Sequence, residues 1–140
     1  MLVLQPNSSE REHILNKKIV IWLNTSWNIY NFRLNLARAF KNAGYKVILV
    51  APKDEYSKRL EQEFEYYDIY IDNKGTNPKH DIKTLIEFYK LYKQIKPDVV
   101  LNYTIKPNIY GTIACGLLNI QTINNIAGLG TLFVKQNLIT

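Results

Sequence analysis

The stretch Ile19-Val20-Ile21-Trp22-Leu23-Asn24-Thr25-Ser26-Trp27-Asn28-Ile29-Tyr30-Asn31-Phe32-Arg33 decides the fold. Its first five residues are continuously apolar, the pattern of a strand buried on both faces of a parallel sheet. Polar residues follow at once. From about Asn31 to Ala43 the spacing turns helical, with Leu36, Ala37, Phe40 and Ala43 on the inner face and Gly44 placed to cap the end. A strand that feeds a helix through a short polar link begins a βαβ unit. In open α/β sheets such links line the ligand crevice. This one carries the hydrogen-bonding side chains of Thr25, Ser26 and Asn28, the rings of Trp27 and Tyr30, and the guanidinium of Arg33. We read it as a binding loop. The plainer alternative is a polar connection whose aromatics pack on neighbouring helices.

The same unit repeats downstream. Tyr45–Ala51 is a second apolar strand stopped by Pro52, and Asp54 is placed to cap a charged helix reaching about Phe64. Tyr67–Ile71 reads as a short third strand, and residues 72–80 as a loop with strong turn chemistry in Lys74-Gly75-Thr76-Asn77-Pro78. Asp81–Lys96 is the clearest helix, with Ile82, Leu85, Ile86, Tyr89, Tyr92 and Ile95 as its expected core stripe. Asp98–Tyr103 is the fourth strand. Pro107 suits the first turn of a helix running to about Leu118, and Ile120–Ile126 is the fifth strand. The expected class is therefore α/β, a parallel sheet of about five strands flanked by helices, with right-handed crossovers. Residues 1–16 read as an N-terminal extension and residues 17–140 as the domain.

Composition narrows the possibilities. The net charge is +6, and lysine exceeds the acids mostly after Ile71. That balance fits an anionic small ligand, a nucleic acid or an anionic membrane surface, but no Lys/Arg run is dense enough for a nucleic-acid arm. The one cysteine, Cys115, sits in an apolar stretch, as a buried thiol does. A single cysteine excludes an internal disulfide and a Cys-rich zinc site, and it points to the cytosol. No apolar run reaches the roughly 20 residues that span a bilayer.

The parallel arrangement gathers the links after each strand at one edge. They bring together Thr25, Ser26, Trp27, Asn28, Arg33, Lys74, Thr76, Asn77, Thr104, Lys106, Asn108, Gly128 and Gly130. The set is rich in donors and cations and poor in carboxylates, which suits a phosphate, an array of sugar hydroxyls, or both. The helix that starts near Pro107 turns unpaired N–H groups toward the same edge. No G-x-x-x-x-G-K-[ST] loop, no G-x-G-x-x-G after the first strand and no metal-ligand spacing is present. His80 next to Asp81 reads as a capping or surface pair.

Five segments in order carry a resemblance: Asn24 to Arg33, Ala51-Pro52-Lys53-Asp54-Glu55-Tyr56, Lys74 to Pro78, Thr104-Ile105-Lys106-Pro107-Asn108-Ile109-Tyr110-Gly111, and Asn124-Asn125-Ile126-Ala127-Gly128-Leu129-Gly130. Together they resemble the N-terminal domain of bacterial family-4-like glycosyltransferases of GT-B architecture, which build capsule, O-antigen and related surface glycans. The resemblance implies a Rossmann-like acceptor-binding half, with a separate domain or subunit holding the nucleotide-sugar donor. It implies a saccharide or polyprenyl-diphosphate-linked saccharide as acceptor, no cofactor or metal in this half, and a cytoplasmic place with peripheral contact to the anionic inner face of the membrane. Asn28, Arg33, Lys74 and Lys106 would then meet acceptor phosphates or hydroxyls, Trp27 and Tyr30 would stack on a sugar, and Gly128 and Gly130 would let backbone approach it. Two features depart from the pattern. The first link lacks the glycines many members have, and the link after the fourth strand lacks histidine. With no donor site in the 140 residues, the chain alone is expected to have negligible transferase activity. The alternative reading is a non-enzymatic, flavodoxin-like module for a nucleotide or phosphorylated ligand.

Overall fold

The computed structural model describes residues 17–72 and 78–125. Five strands, β1 (Lys18–Trp22), β2 (Lys46–Ala51), β3 (Glu65–Asp68), β4 (Val99–Tyr103) and β5 (Gln121–Asn125), form one sheet in the order β3-β2-β1-β4-β5. Every pairing is parallel. The apolar runs at Ile19–Leu23 and Val47–Ala51 are two of the three inner strands, buried on both faces as their sequences require.

Alternate residues of these strands feed two cores. On one face Ile19, Ile21, Leu23, Val47 and Leu49 pack against Ala37 of α2 (Leu34–Ala43) and Leu60 of α3 (Ser57–Glu61). On the other, Val20, Trp22, Ile48, Val50 and Val100 meet Phe88, Tyr92 and Ile95 of α4 (Pro78–Ile95) and Ala114 and Cys115 of α5 (Ile105–Leu118). Cys115 is fully buried, as its apolar setting implied, and burial pushes its thiol up to about 11.

Three expectations shift. The first helix starts at Ser26, five residues early: α1 (Ser26–Asn28) runs through a π-helical turn at Ile29–Arg33 into α2. The third strand is Glu65–Asp68 rather than Tyr67–Ile71. Its register on β2 ends at Ala51↔Asp68, and the next donor on that side, the Lys53 N–H, goes to the Asp68 side chain at 2.9 Å instead of extending the ladder. The helix at 81–96 begins at Pro78, and it is rotated from the expected stripe. Thr84, Phe88, Tyr92 and Ile95 face inward, while Ile82 and Ile86 are exposed. The large rings set that rotation, since Phe88 packs on Trp22 and edge-on to Tyr92. The inward Thr84 hydroxyl lies 3.0 Å from the Tyr70 carbonyl, so its polar group is satisfied.

One glycine is required by close approach. Helix α5 lies on β4 where Asn102 is fully buried, and a Cβ at Gly111 would stand 2.3 Å from Asn102 Oδ1. The Asn102 amide is pinned from β5, donating to Thr122 Oγ1 (2.7 Å) and Asn124 Oδ1 (3.0 Å).

Candidate functional site

The strand order changes direction between β1 and β4: the chain steps one way to β2 and β3, then crosses to β4 and β5. Ligands of open α/β sheets bind at the carboxyl edge at such a point. A cleft of about 140 Å³ opens there, lined by Leu23, Asn28, Phe32, Arg33, Tyr103, Thr104 and Asn125. None of these residues is acidic.

The wall on the β1 side is a braced structure. Thr25 is the helix N-cap, and its Oγ1 accepts the Asn28 N–H at 3.0 Å. The Asp54 carboxylate accepts the Trp27 N–H (2.9 Å) and the Tyr56 N–H (2.8 Å). A carboxylate at a helix N-terminus also complements the helix dipole, and the Trp27 and Asn28 amides of α1 are satisfied within the fold. Ser26 is fully buried, with its hydroxyl 2.9 Å from the Pro52 carbonyl, 2.9 Å from Tyr66 Oη and 3.0 Å from Ser57 Oγ. Tyr66 in turn donates to the Ala51 carbonyl at 2.9 Å, and burial raises its phenol above the ordinary value. This hydroxyl cluster bolts the link after β1 to the link after β2.

The π-helical turn aims the cleft residues. In an α-helix residues 28 and 32 share a face and residue 33 lies about a quarter-turn on. A wider turn, with i→i+5 bonding, brings residue 33 round above residue 28. Asn28, Phe32 and Arg33 therefore all reach the cleft. The Arg33 guanidinium sits over the Tyr103 ring, 4.5 Å from its centroid. That stacking fixes the fork without using its N–H donors. Among the described residues Arg33 makes no ion pair. Asn28 donates through Nδ2 to Asn24 Oδ1 at 2.8 Å.

The opposite wall is strained. Thr104 has φ 70° and ψ 170°, a region that is essentially glycine's own. A β-branched residue held there is an outlier that the surrounding structure must impose. It ends β4 and starts α5, and its side chain leaves the first turn of α5 uncapped. Asn108, one turn on, donates to the Asn125 carbonyl at 3.0 Å and joins α5 to the end of β5.

Of the sequence-derived set, the cleft brings together Asn28, Arg33 and Thr104. Thr25 and Ser26 build its wall. Trp27 stands outside the lining, edge-on to Phe32 with centroids 5.5 Å apart. Tyr30 turns away to pack on Tyr56 under the Arg59 guanidinium. Lys106 points toward α4, where it donates to Asp81 Oδ1 at 2.9 Å and to the Asp72 carbonyl. The hydrogen bond from Lys106 holds the Asp81 carboxyl below its ordinary range, and His80 beside it is exposed at the start of α4. Lys74, Thr76, Asn77, Gly128 and Gly130 lie outside the described residues. The sequence reading missed Leu23, Phe32, Tyr103 and Asn125. Tyr103 and Asn125 end their strands at the ligand edge, a signal that was available. Phe32 depends on the π-helical turn, which the spacing does not announce.

The Glycosyl transferase 4-like family profile matches residues 18–139. Among curated proteins, the chain is 25% identical over 111 residues to the N,N'-diacetylbacillosaminyl-diphospho-undecaprenol alpha-1,3-N-acetylgalactosaminyltransferase of Campylobacter jejuni, covering 78% of this chain and 30% of that enzyme. Among solved structures, MurG of Acinetobacter baumannii superposes with a TM-score of 0.61 at 21% identity, over 77% of this chain and 34% of that one. A glycosyltransferase of Rickettsia africae ESF-5 gives 0.65 at 15% identity, over 78% and 29%. A UDP-N-acetylglucosamine 2-epimerase gives 0.57 at 17% identity, over 78% and 33%. The structural likenesses speak to the fold, which transferases and epimerases share. The chain spans about a third of the length of these relatives. With the family profile matched across nearly all of the domain, the chain belongs to the Glycosyl transferase 4-like family.

Proposed function

We propose that this chain is the acceptor-binding half of a GT-B glycosyltransferase that moves a sugar from a nucleotide sugar to a lipid-linked saccharide in surface-polysaccharide synthesis. The observation that carries the reading is Arg33 resting on Tyr103 in a cleft without a carboxylate. Such a guanidinium presents a planar fork of donors to a phosphate group. The Campylobacter relative is named for an acceptor in which a saccharide is joined to undecaprenol through a diphosphate. In this chain Arg33 would hold the diphosphate, and Asn28 and Thr104 would meet polar groups of the adjoining sugar. The donor unit would face the same cleft from a second domain or subunit. The acceptor hydroxyl then attacks the anomeric carbon of the donor sugar as the nucleoside diphosphate leaves, and the hydroxyl proton is released. This half contributes position and charge rather than a reacting group. Among the described residues no helix is long and apolar enough to cross a membrane, and the acceptor would be met at the membrane surface.

The test is a titration of the chain with a water-soluble, short-prenyl diphosphate-linked saccharide and, separately, with UDP and UDP-sugars. Binding of the first, weakened by Arg33→Ala, is the expected result. A hydrogen-bonded charge contributes about 1.5–3 kcal/mol, so the loss should be about 10- to 150-fold. Binding of the nucleotide alone, indifferent to Arg33→Ala, would refute the reading and favour a nucleotide-sensing module. Without a donor-binding partner, turnover should be negligible, and appreciable transfer by the chain alone would also refute it.

A further inference from the structure

Two large rings at the cleft rim are held in place without being buried. Phe32 is 63% exposed and Trp27 is 43% exposed. The Trp27 N–H donates to the Asp54 carboxylate, and the Trp27 carbonyl accepts from Asn31 Nδ2, each at 2.9 Å. The indole stands edge-on to Phe32, with ring planes at 75°, an arrangement that favours one fixed pose for the pair. Tyr30, Tyr56 and Tyr103 each lie under a guanidinium. Among the described residues, Trp27 and Phe32 carry no such cover. Ordered apolar surface left open beside a cleft marks a place where a ligand lies.

The size of the cleft decides what these rings meet. About 140 Å³ is available in it, and a cavity of roughly 150 Å³ takes one molecule of benzene. A diphosphate, a sugar and a lipid tail cannot all enter. The half-buried lining residues Asn28, Arg33, Thr104 and Asn125 are polar, and they suit the charged and hydroxylated end of an acceptor. Phe32 lines the cleft and also faces solvent, and Trp27 continues its apolar surface beyond the lining. A sugar's hydroxyls find partners in the lining rather than on the rings. An apolar tail that leaves a diphosphate on Arg33 meets Phe32, its neighbour in the chain, and then Trp27.

We propose, resting on the acceptor reading above, that Phe32 and Trp27 form the subsite for the first prenyl units of the acceptor lipid. The polar end of the acceptor lies in the cleft, the diphosphate on Arg33, and the chain along the two rings. The rings hold and orient the lipid and take no part in making or breaking a bond. They also set a preference for prenyl over nucleoside diphosphates, because ribose hydroxyls in that place would face hydrocarbon without partners.

The test is calorimetric titration of the full chain with geranyl diphosphate and with methyl diphosphate, which share the charged group and differ in the tail. Geranyl diphosphate should bind about tenfold tighter or more, from the apolar area its chain buries. Phe32→Ala should remove most of that preference. Phe32→Leu, which stays apolar, should keep much of it, whereas a platform for a sugar face would need the ring. The chain has two tryptophans, and Trp22 is fully buried. A blue shift of tryptophan emission with geranyl diphosphate and not with methyl diphosphate should therefore report Trp27, and Trp27→Phe should abolish it. Equal binding of the two ligands, both weakened by Arg33→Ala, would overturn the prenyl subsite and leave the acceptor reading standing. No binding of either would overturn both. A preference that survives Phe32→Ala, or one lost equally in Phe32→Leu and Phe32→Ala, would also overturn the subsite.

Discussion

Two glycines five residues apart in α5 should respond to alanine with opposite signs. At Gly116 a Cβ meets nothing within 4 Å. Alanine there gains helix propensity and restricts the unfolded chain, for about 0.5–1 kcal/mol of added stability. At Gly111 the same gain of about 1 kcal/mol meets the Asn102 amide, with its Oδ1 at 2.3 Å and its Cγ and Nδ2 at 2.5 Å. Overpacking of this kind costs about 1–3 kcal/mol. The amide moves aside only by giving up its bonds to Thr122 and Asn124, and an unsatisfied buried polar group costs about 1–3 kcal/mol more. The clash wins, and Gly111→Ala should destabilise by about 1–5 kcal/mol. Urea unfolding measures both. With a slope of about 1–3 kcal/mol/M, the Gly111→Ala midpoint should fall by about 1–2 M while that of Gly116→Ala rises slightly. Asn102→Ser relieves the contact, so the double variant should be less destabilised than the sum of the singles. Equal midpoints for the two alanine variants would refute the placement of α5 on β4.

Two further outcomes follow from titrating groups. The Cys115 thiol, raised to about 11 by burial, should react with a disulfide reagent at pH 8 only as fast as the protein opens, and immediate labelling of the folded chain would contradict its position. The Asp81 carboxyl is held low by Lys106, so the pair adds stability above the ordinary aspartate pKa of about 3.9 and loses it as pH falls through the lower folded value. Lys106→Met should therefore be less stable than the wild type at pH 7 and should lose less on acidification below about pH 4, read as urea midpoints across that range. A parallel loss in both proteins would remove the ion pair from the account.

The sheet was legible because β1 and β2 are unbroken apolar runs ended by Asn24 and Pro52, and a helical pattern stands between successive strands, as a parallel crossover requires. The edge strand β3 was misplaced because Tyr66, Tyr67, Ile69 and Ile71 all suit a strand, and the register with β2 alone decides where pairing stops. The face of α4 was misread for a related reason. Ile82, Leu85, Ile86 and Tyr89 make a better helical stripe than Thr84, Phe88 and Tyr92, yet ring packing on Trp22 outweighs it. At the site, the polar edge was legible from residue types. Which of its members face the cleft was not. Ser26 and Lys106 look like ligand contacts in sequence and find partners inside the fold, through bonds to Pro52 and Asp81 that span 26 and 25 residues.

The π-helical turn at Ile29–Arg33 has a consequence for how this cleft can change. It holds about one residue more than an α-helical turn would. Deleting one residue there would let an unbroken α-helix run from Ser26 into α2. The inward register of Ala37 would survive, because the helix beyond the turn keeps its own anchorage on the sheet. Only the residues upstream of the deletion would be re-aimed against Tyr103. A change of one codon in length thus alters which side chains of this turn reach the cleft, while Ala37 keeps its place on the sheet. Ligand preference in this fold can drift by changes in length as readily as by changes in residue type.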